Sequence, residues 1–267
     1  MQARAAAVHA LVSATAVDES EGRWKLLSHH FATLFDDVES VAQLRQAILD
    51  LAVMGLLDGP RRRTSENGDL PTGWRWVTGD ETFPFVTSGS RGWAQYYADD
   101  GAIFLRIGNL DYGTIDLDLR HIQRVKPPKD AEGTRTRVKP GDILLSITGD
   151  TGMVGLVPDD LGEAYINQHI ALARPAPTVV PEFIAYALTA PSVLGRVQAA
   201  QRGIKNSLGL EDLRNLRIPL PPFDAQHAIV QKIRRLLAAC RQLEGALKKL
   251  GALGARAADA LVAASAT

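Results

Sequence analysis

Apolar residues along the 267-residue chain follow three rhythms in succession. From Trp24 to Leu57 they recur at helical spacing. Val41, Leu44, Ile48 and Leu51 stand three or four residues apart, with Glu39 or Ser40 near the start of the clearest run. Gly55 and then Asp58-Gly59-Pro60 stop that helix. Between 76 and 175 the rhythm shortens to β-branched runs cut by Gly, Asp and Pro, which predicts strands at 85–87, 103–107, 121–125, 143–148, 153–157 and 164–173. The fourth and fifth, joined by Gly149-Asp150-Thr151-Gly152, read as a hairpin. Pro181, followed by Phe183, Ile184, Tyr186 and Ala187, opens a predicted helix running to about residue 200 that covers the sheet. A polar, basic loop at 201–207 and a short helix at 208–216 follow. The third rhythm begins after Ile218-Pro219-Leu220-Pro221-Pro222-Phe223. Here Ile229, Ile233, Leu236, Cys240, Leu243, Leu247 and Leu250 alternate spacings of four and three, the seam of a coiled coil that needs a partner helix. The prolines disfavour helix before them, and Asp224 can cap the first turn.

The expected fold class is therefore α+β: a β-rich domain with covering helices, plus long N- and C-terminal helices forming a coiled-coil arm. The divisions fall at 1–24 (a variable, Ala-rich then acidic extension), 25–60 (the first helical region), 61–223 (the β-rich domain) and 224–267 (the C-terminal coiled-coil helix). The two apolar stripes, one headed by Leu44, Ile48 and Leu51 and the other by Ile233 and Leu243, are obvious partners within one chain or between chains.

Charge changes this picture only locally. Lys and Arg balance Asp and Glu at 30 each, so no global basic field argues for nucleic acid. The ends differ in sign: residues 1–70 carry seven cations against ten anions, 71–223 sixteen against seventeen, and 224–267 seven against three. That asymmetry suits two helices that pair. A single cysteine, Cys240, excludes an internal disulfide framework and a multi-cysteine zinc site; its place on the seam is that of a small buried apolar group. No run of about 18 apolar residues is present to span a membrane. The first 16 residues imitate a secretory signal only faintly, so the cytoplasm is the expected location.

Enzyme motifs fail on their chemistry. Gly149, Gly152 and Gly155 lie in a predicted hairpin, where no helix N-terminus awaits a pyrophosphate. Leu220-Pro221-Pro222-Phe223 superficially resembles the Asn/Asp-Pro-Pro-aromatic motif of amino-methyltransferases, but Leu220 has no oxygen to hold a base amino group. His169 has no Cys partner and no second His at ligand spacing, and reads as a hydrogen-bonded structural residue. The run Arg61-Arg62-Arg63 reads as a solvated linker.

Three clusters suit nucleic acid better. In 87–97, Ser90 and Arg91 lie between glycines beside Trp93, Tyr96 and Tyr97, so hydroxyls, a guanidinium and rings stand together for phosphates, sugars and bases. The plainer reading is a surface loop pinned by a buried Trp93. In 201–207, Arg202, Lys205 and Asn206 put two cations and polar groups into one loop, which could equally serve only to close the domain. Arg106 and Asn109, at the end of the second predicted strand, are the residue types that read guanine and adenine in the major groove. Arg106 could instead pair internally with Asp111 or Asp142.

Taken in order, Leu-Pro-x-Gly-Trp (70–74), Phe-Leu-Arg-Ile-Gly-Asn (104–109), Val-x-Pro-Gly-Asp-Ile-Leu (138–144), Thr-Gly-Asp-x-Gly (148–152), Ile-Asn-Gln-His (166–169) and Ile-Pro-Leu-Pro-Pro (218–222) running into a helix resemble the type I restriction-modification DNA specificity (S) subunits. The match covers roughly 40–250. Two departures stand out: one recognition domain and one long helix of each kind where the family usually has two, and Ala225 before Gln226 where Glu is frequent. The resemblance implies a non-catalytic subunit that binds double-stranded DNA through a target recognition domain, with no cofactor of its own and no metal. Methyltransferase (M) subunits would bring S-adenosylmethionine, and a restriction (R) subunit the ATP-driven cleavage. With one recognition domain, the chain is expected to read one half-site and to pair with a second copy or another half-subunit. Two readings of other classes stay open: the recognition fragment of a DNA methyltransferase or nuclease, and a protein-binding adaptor dimerised by its coil.

Overall fold

The structure is a computed structural model that describes residues 37–57, 70–128, 135–193, 195 and 207–265. The chain divides into two compact units, Met1–Arg62 with Gln231–Thr267, and Arg63–Val230.

In the first unit, helix α1 (Val38–Val53) begins where Asp37 caps it: the Asp37 carboxylate accepts from the Ser40 amide at 2.6 Å, and the Ser40 hydroxyl accepts from the Asp37 amide at 3.2 Å. This reciprocal box satisfies two donors that the first turn leaves without partners. Val41 and Ile48 of α1 form a small core with Cys240, and Leu44, Leu243 and Leu247 close around it. The long C-terminal helix is Phe223–Ser265. The anticipated seam is thus partly covered by the chain's own first helix. Arg45 adds an ion pair to Glu244 beside it. The buried sector turns along the long helix. Val230, Ile233, Leu237 and Cys240 are buried, whereas Leu236 is 38% exposed and Leu250 is 64% exposed. A straight helix repeats every 3.6 residues, so Leu237 takes the buried place that a strict heptad gives to Leu236.

Among the described residues, the second unit holds ten strands in three sheets. β1 (Arg75–Thr78) pairs antiparallel with β10 (Arg217–Leu220). The second sheet has the order β2 (Phe85–Ser88), β9 (Ile170–Arg174), β6 (Ile143–Ser146), β7 (Val154–Leu156). The third has β3 (Tyr97–Ala98), β5 (Gln123–Val125), β4 (Ala102–Leu105), β8 (Ala164–Ile166). β6 is buried at every position, which explains its unbroken Ile143-Leu144-Leu145 run. One core draws on both four-stranded sheets: Ile103 and Leu105 of β4 and Ile166 of β8 meet Leu144 of β6 and Ile170 and Leu172 of β9.

The β6–β7 hairpin forms as expected, with Ile143 opposite Leu156. The single strand expected at 164–173 is two. β8 and β9 lie in different sheets, and Asn167-Gln168-His169 makes the corner between them. Apolar content cannot distinguish one buried strand from two joined by a turn. The β1–β10 ribbon was also unforeseen, because Pro219 argues against a strand. It is accommodated because a two-stranded ribbon consists of edges, where a missing N–H costs no ladder bond. Helix α2 (Pro181–Thr189) starts at the expected proline and buries Phe183 through Thr189. The short helix expected at 208–216 is α3 (Leu210–Arg214).

Two polar contacts fix the frame. Asp142, 1% exposed on its side chain, takes both arms of the Arg174 guanidinium at 2.7 and 2.8 Å, and this hydrogen-bonded pairing holds the Arg174 pKa above its ordinary value. Gln226 is 1% exposed; its Oε1 accepts from the Val180 amide at 2.7 Å and its Nε2 donates to the Pro221 carbonyl at 3.0 Å. A residue of the first helical turn after the prolines thereby holds the N-terminal end of α2.

Candidate nucleic-acid interface

Several chain segments end together at one rim of the two four-stranded sheets. Ser90, just past β2, bridges in parallel to Asn167, just past β8. The Asn167 amide donates to the Leu105 carbonyl at the end of β4 at 3.0 Å, and the Gly89 amide to the Ile170 carbonyl at the start of β9 at 3.3 Å. Thr148, just past β6, bridges to Ser207. The motifs at 87–91, 104–109, 148–152 and 166–169, scattered in sequence, are thereby brought to a single rim. Gly89 is what allows the closest approach: a Cβ there would lie 2.1 Å from the Asn167 carbonyl oxygen.

The hydroxyl of Thr148 is hydrogen-bonded to His169 Nδ1, and Gln168 Nε2 donates to His169 Nε2 at 2.9 Å. Both ring nitrogens are thereby held, one by Thr148 and one by Gln168. This is the hydrogen-bonded role expected for His169. Among the described residues no group of three or more His, Cys, Asp or Glu could hold a metal ion.

The residues singled out from sequence separate into two kinds. Arg91 is exposed and Arg106 half-buried, and neither has an ion-pair partner among the described residues. Arg106 pairs with neither Asp111 nor Asp142, the latter being held by Arg174. Ser90 is 9% exposed and accepts from Arg135. By contrast, Trp93 is 4% exposed, stacked on Phe104 at 5.0 Å and 9°, with Tyr165 at 5.0 Å and Tyr96 edge-on at 5.9 Å. It pins the loop from below; Tyr97, 43% exposed, is the ring of this group most open to solvent, and Tyr96 is half-buried. Asn109 is 4% exposed with its amide in use: Oδ1 accepts from the Arg106 amide at 2.8 Å, and Nδ2 donates to the carbonyls of Asp118 at 2.7 Å and His121 at 3.3 Å. Its geometry is that of a brace for the loop following β4. Arg202, Lys205 and Asn206 lie outside the described residues, and Ser207, the next residue, is the one bridged to Thr148.

Arg135 was not singled out. The signal for it is the alternation at 135–139: Arg135, Arg137 and Lys139 are exposed while Thr136 and Val138 are buried, a period of two that lays three cations along one face. At the hairpin turn the Thr151 carbonyl accepts from Tyr112 Oη at 3.0 Å; burial first, then the Asp150 charge, push the Tyr112 phenol pKa up.

Comparison with known proteins gives this arrangement its context. A family model described as the type I restriction modification DNA specificity domain matches residues 129–250. Over that stretch the chain is similar to type I restriction-modification DNA specificity domains. The EcoBI specificity subunit of Escherichia coli is 31% identical over 149 residues, which cover 54% of this chain and 30% of that protein. The EcoAI specificity subunit of the same organism is 24% identical, over 92% of this chain and 48% of its own length. The chain thus spans half the length, or less, of these curated relatives. The HsdS subunit of Thermoanaerobacter tengcongensis has the same fold at a TM-score of 0.53 and 22% identity, covering 93% of this chain and 55% of that one. The S subunit of M. genitalium matches at 0.52 and 13% identity, covering 86% of this chain and 56% of that one. The specificity domain's match begins six residues before Arg135 and includes the corner at His169 and the prolines before the long helix.

Proposed function

We propose that this chain is a DNA-recognition subunit of a type I restriction-modification system, without catalytic residues of its own, that reads duplex DNA with the rim built from the ends of β2, β4, β6 and β8. The observation that carries this reading is the convergence at that rim of four separated motifs with guanidinium groups that no carboxylate among the described residues neutralises. Loops at a strand-end rim can enter the major groove, while a neutral protein overall requires its cations to be concentrated where the phosphates lie.

In this reading each chain recognises one half-site. The long helix acts as a spacer, because residues 226 to 250 extend roughly 37 Å at about 1.5 Å per residue. One DNA turn is about 34 Å, so half-sites would lie on one face of the duplex. Leu236 and Leu250, exposed on that helix, are available to a second copy or a related half-subunit. A two-fold pair of identical chains would favour an inverted-repeat target. Methyltransferase subunits would dock on the complex and supply S-adenosylmethionine chemistry, a restriction subunit would supply cleavage, and the assembly would work in the cytoplasm.

The test is binding of the full chain to duplex DNA across a salt series, alone and with the methyltransferase partner. Affinity should fall steeply with salt, and Arg202→Ala with Lys205→Ala should weaken binding to all sequences alike. A chain that binds no duplex with its partner present would refute the reading and favour the protein-binding adaptor.

A further inference from the structure

Arg135 is held in an unusual way. Its Nη1 donates to the Thr87 hydroxyl and to the Ser88 carbonyl, the latter at 3.1 Å, and its Nη2 donates to the Ser90 hydroxyl at 3.4 Å. All three acceptors are neutral and belong to the end of β2. Four other arginines of the unit meet carboxylates: Arg174 meets Asp142, Arg214 meets Asp80, Arg120 meets Asp118 and Arg75 meets Glu81. Arg135 has no such partner among the described residues, and its side chain is exposed. The charge is fixed in place without being neutralised by any of the described residues.

The donor count sharpens the point. A guanidinium has five N–H groups. Both on Nη1 and one on Nη2 are taken, which leaves the second Nη2–H and Nε–H. Those two form one edge of the planar fork, the edge that meets two oxygens of a phosphate side by side. Holding the side chain in advance also removes much of the rotamer-ordering cost that binding would otherwise incur. Ser90 ties this arginine to the rim, since the same residue bridges to Asn167, next to the Gln168–His169–Thr148 chain.

We propose that Arg135 is a preorganised anchor for a DNA backbone phosphate, gripping the duplex independently of sequence while neighbouring rim residues read the bases. The inference rests on the DNA-recognition reading above and adds a site and a ligand chemistry to it. A purely structural tie between the 135–139 segment and β2 would predict stability effects alone.

The experiment measures fluorescence anisotropy of a labelled random-sequence duplex, and of a duplex carrying a selected site, with the full-length wild type, Arg135→Ala, Arg135→Lys and Ser90→Ala. If the wild type binds neither duplex, the parent reading fails. If it binds, Arg135→Ala should lose about tenfold on both duplexes at low salt and lower the slope of log affinity against log salt by about one. Arg135→Lys should keep the slope, because the charge remains, yet bind several-fold more weakly without the fork. Ser90→Ala should also keep the slope, with a loss of about two- to threefold as one tether goes. Wild-type affinity and slope in Arg135→Ala, or a loss confined to the selected site, would overturn the phosphate assignment and leave the parent reading intact. Should Arg135→Ala fail to fold, the lysine variant decides: wild-type affinity there contradicts a preorganised fork.

Discussion

Asn109 and Trp93 show how residue chemistry alone misleads when the backbone is unseen. Asparagine after a strand is a residue type that reads adenine, yet here each amide atom serves the chain itself. Asn109→Ala would leave one buried N–H and two carbonyls short of a partner, and should lower stability by about 2–3 kcal/mol. Chemical denaturation measures this as a shift in midpoint. Trp93→Ala should cost about 3–5 kcal/mol, because a stacked, enclosed ring leaves a large cavity. Gly89→Ala should be similarly damaging for a different reason. Its Cβ would meet the Asn167 carbonyl, so the β2–β8 bridge must open. Readable in advance were the pinning of the loop by Trp93, given as its plainer reading, and the hydrogen-bonded role of His169. The three tethers of Arg135 were not, because Thr87, Ser88 and Ser90 lie more than forty residues away in sequence.

At the scale of elements, periodicity located most helices and strands and failed where tertiary partners decide. The hairpin was legible because Gly149 and Gly152 punctuate two apolar runs. The β8–β9 corner was not, since its polar Asn167-Gln168-His169 could have been the exposed face of one strand. The C-terminal stripe was legible as a stripe, but its cover was not: Cys240, Leu243 and Leu247 meet Val41, Leu44 and Ile48 of the same chain. Cys240 is 3% exposed, and burial pushes its thiol pKa up. It should therefore react with thiol reagents orders of magnitude more slowly in the native protein than in denaturant. Rapid native labelling would mean that the α1 contact is open. The ion pair beside it gives a pH signature. Hydrogen bonding from Lys248 first, and then the charge of Arg45, hold Glu244 below its ordinary pKa against the opposing effect of burial. A depressed carboxylate contributes stability above its unfolded pKa, about 4.3, and loses it as pH falls through the folded value. Thermal melts of wild type and Glu244→Gln should thus differ by about 1 kcal/mol or less at pH 7 and converge in acid.

For the whole molecule, a balanced charge count disguises a divided surface. Paired arginines such as Arg174, Arg214 and Arg120 serve the fold, whereas Arg91, Arg106 and Arg135 gather at one rim without carboxylates among the described residues. The proposed recognition of duplex DNA is the claim on which the rest depends. Selection of bound sites from a random duplex pool, with the full chain and the methyltransferase partner proposed for it, tests it most directly. A recurring sequence motif should be enriched, and Arg135→Ala should enrich the same motif with lower recovery. Recovery of duplexes with no shared motif, or of none at all, would contradict the account.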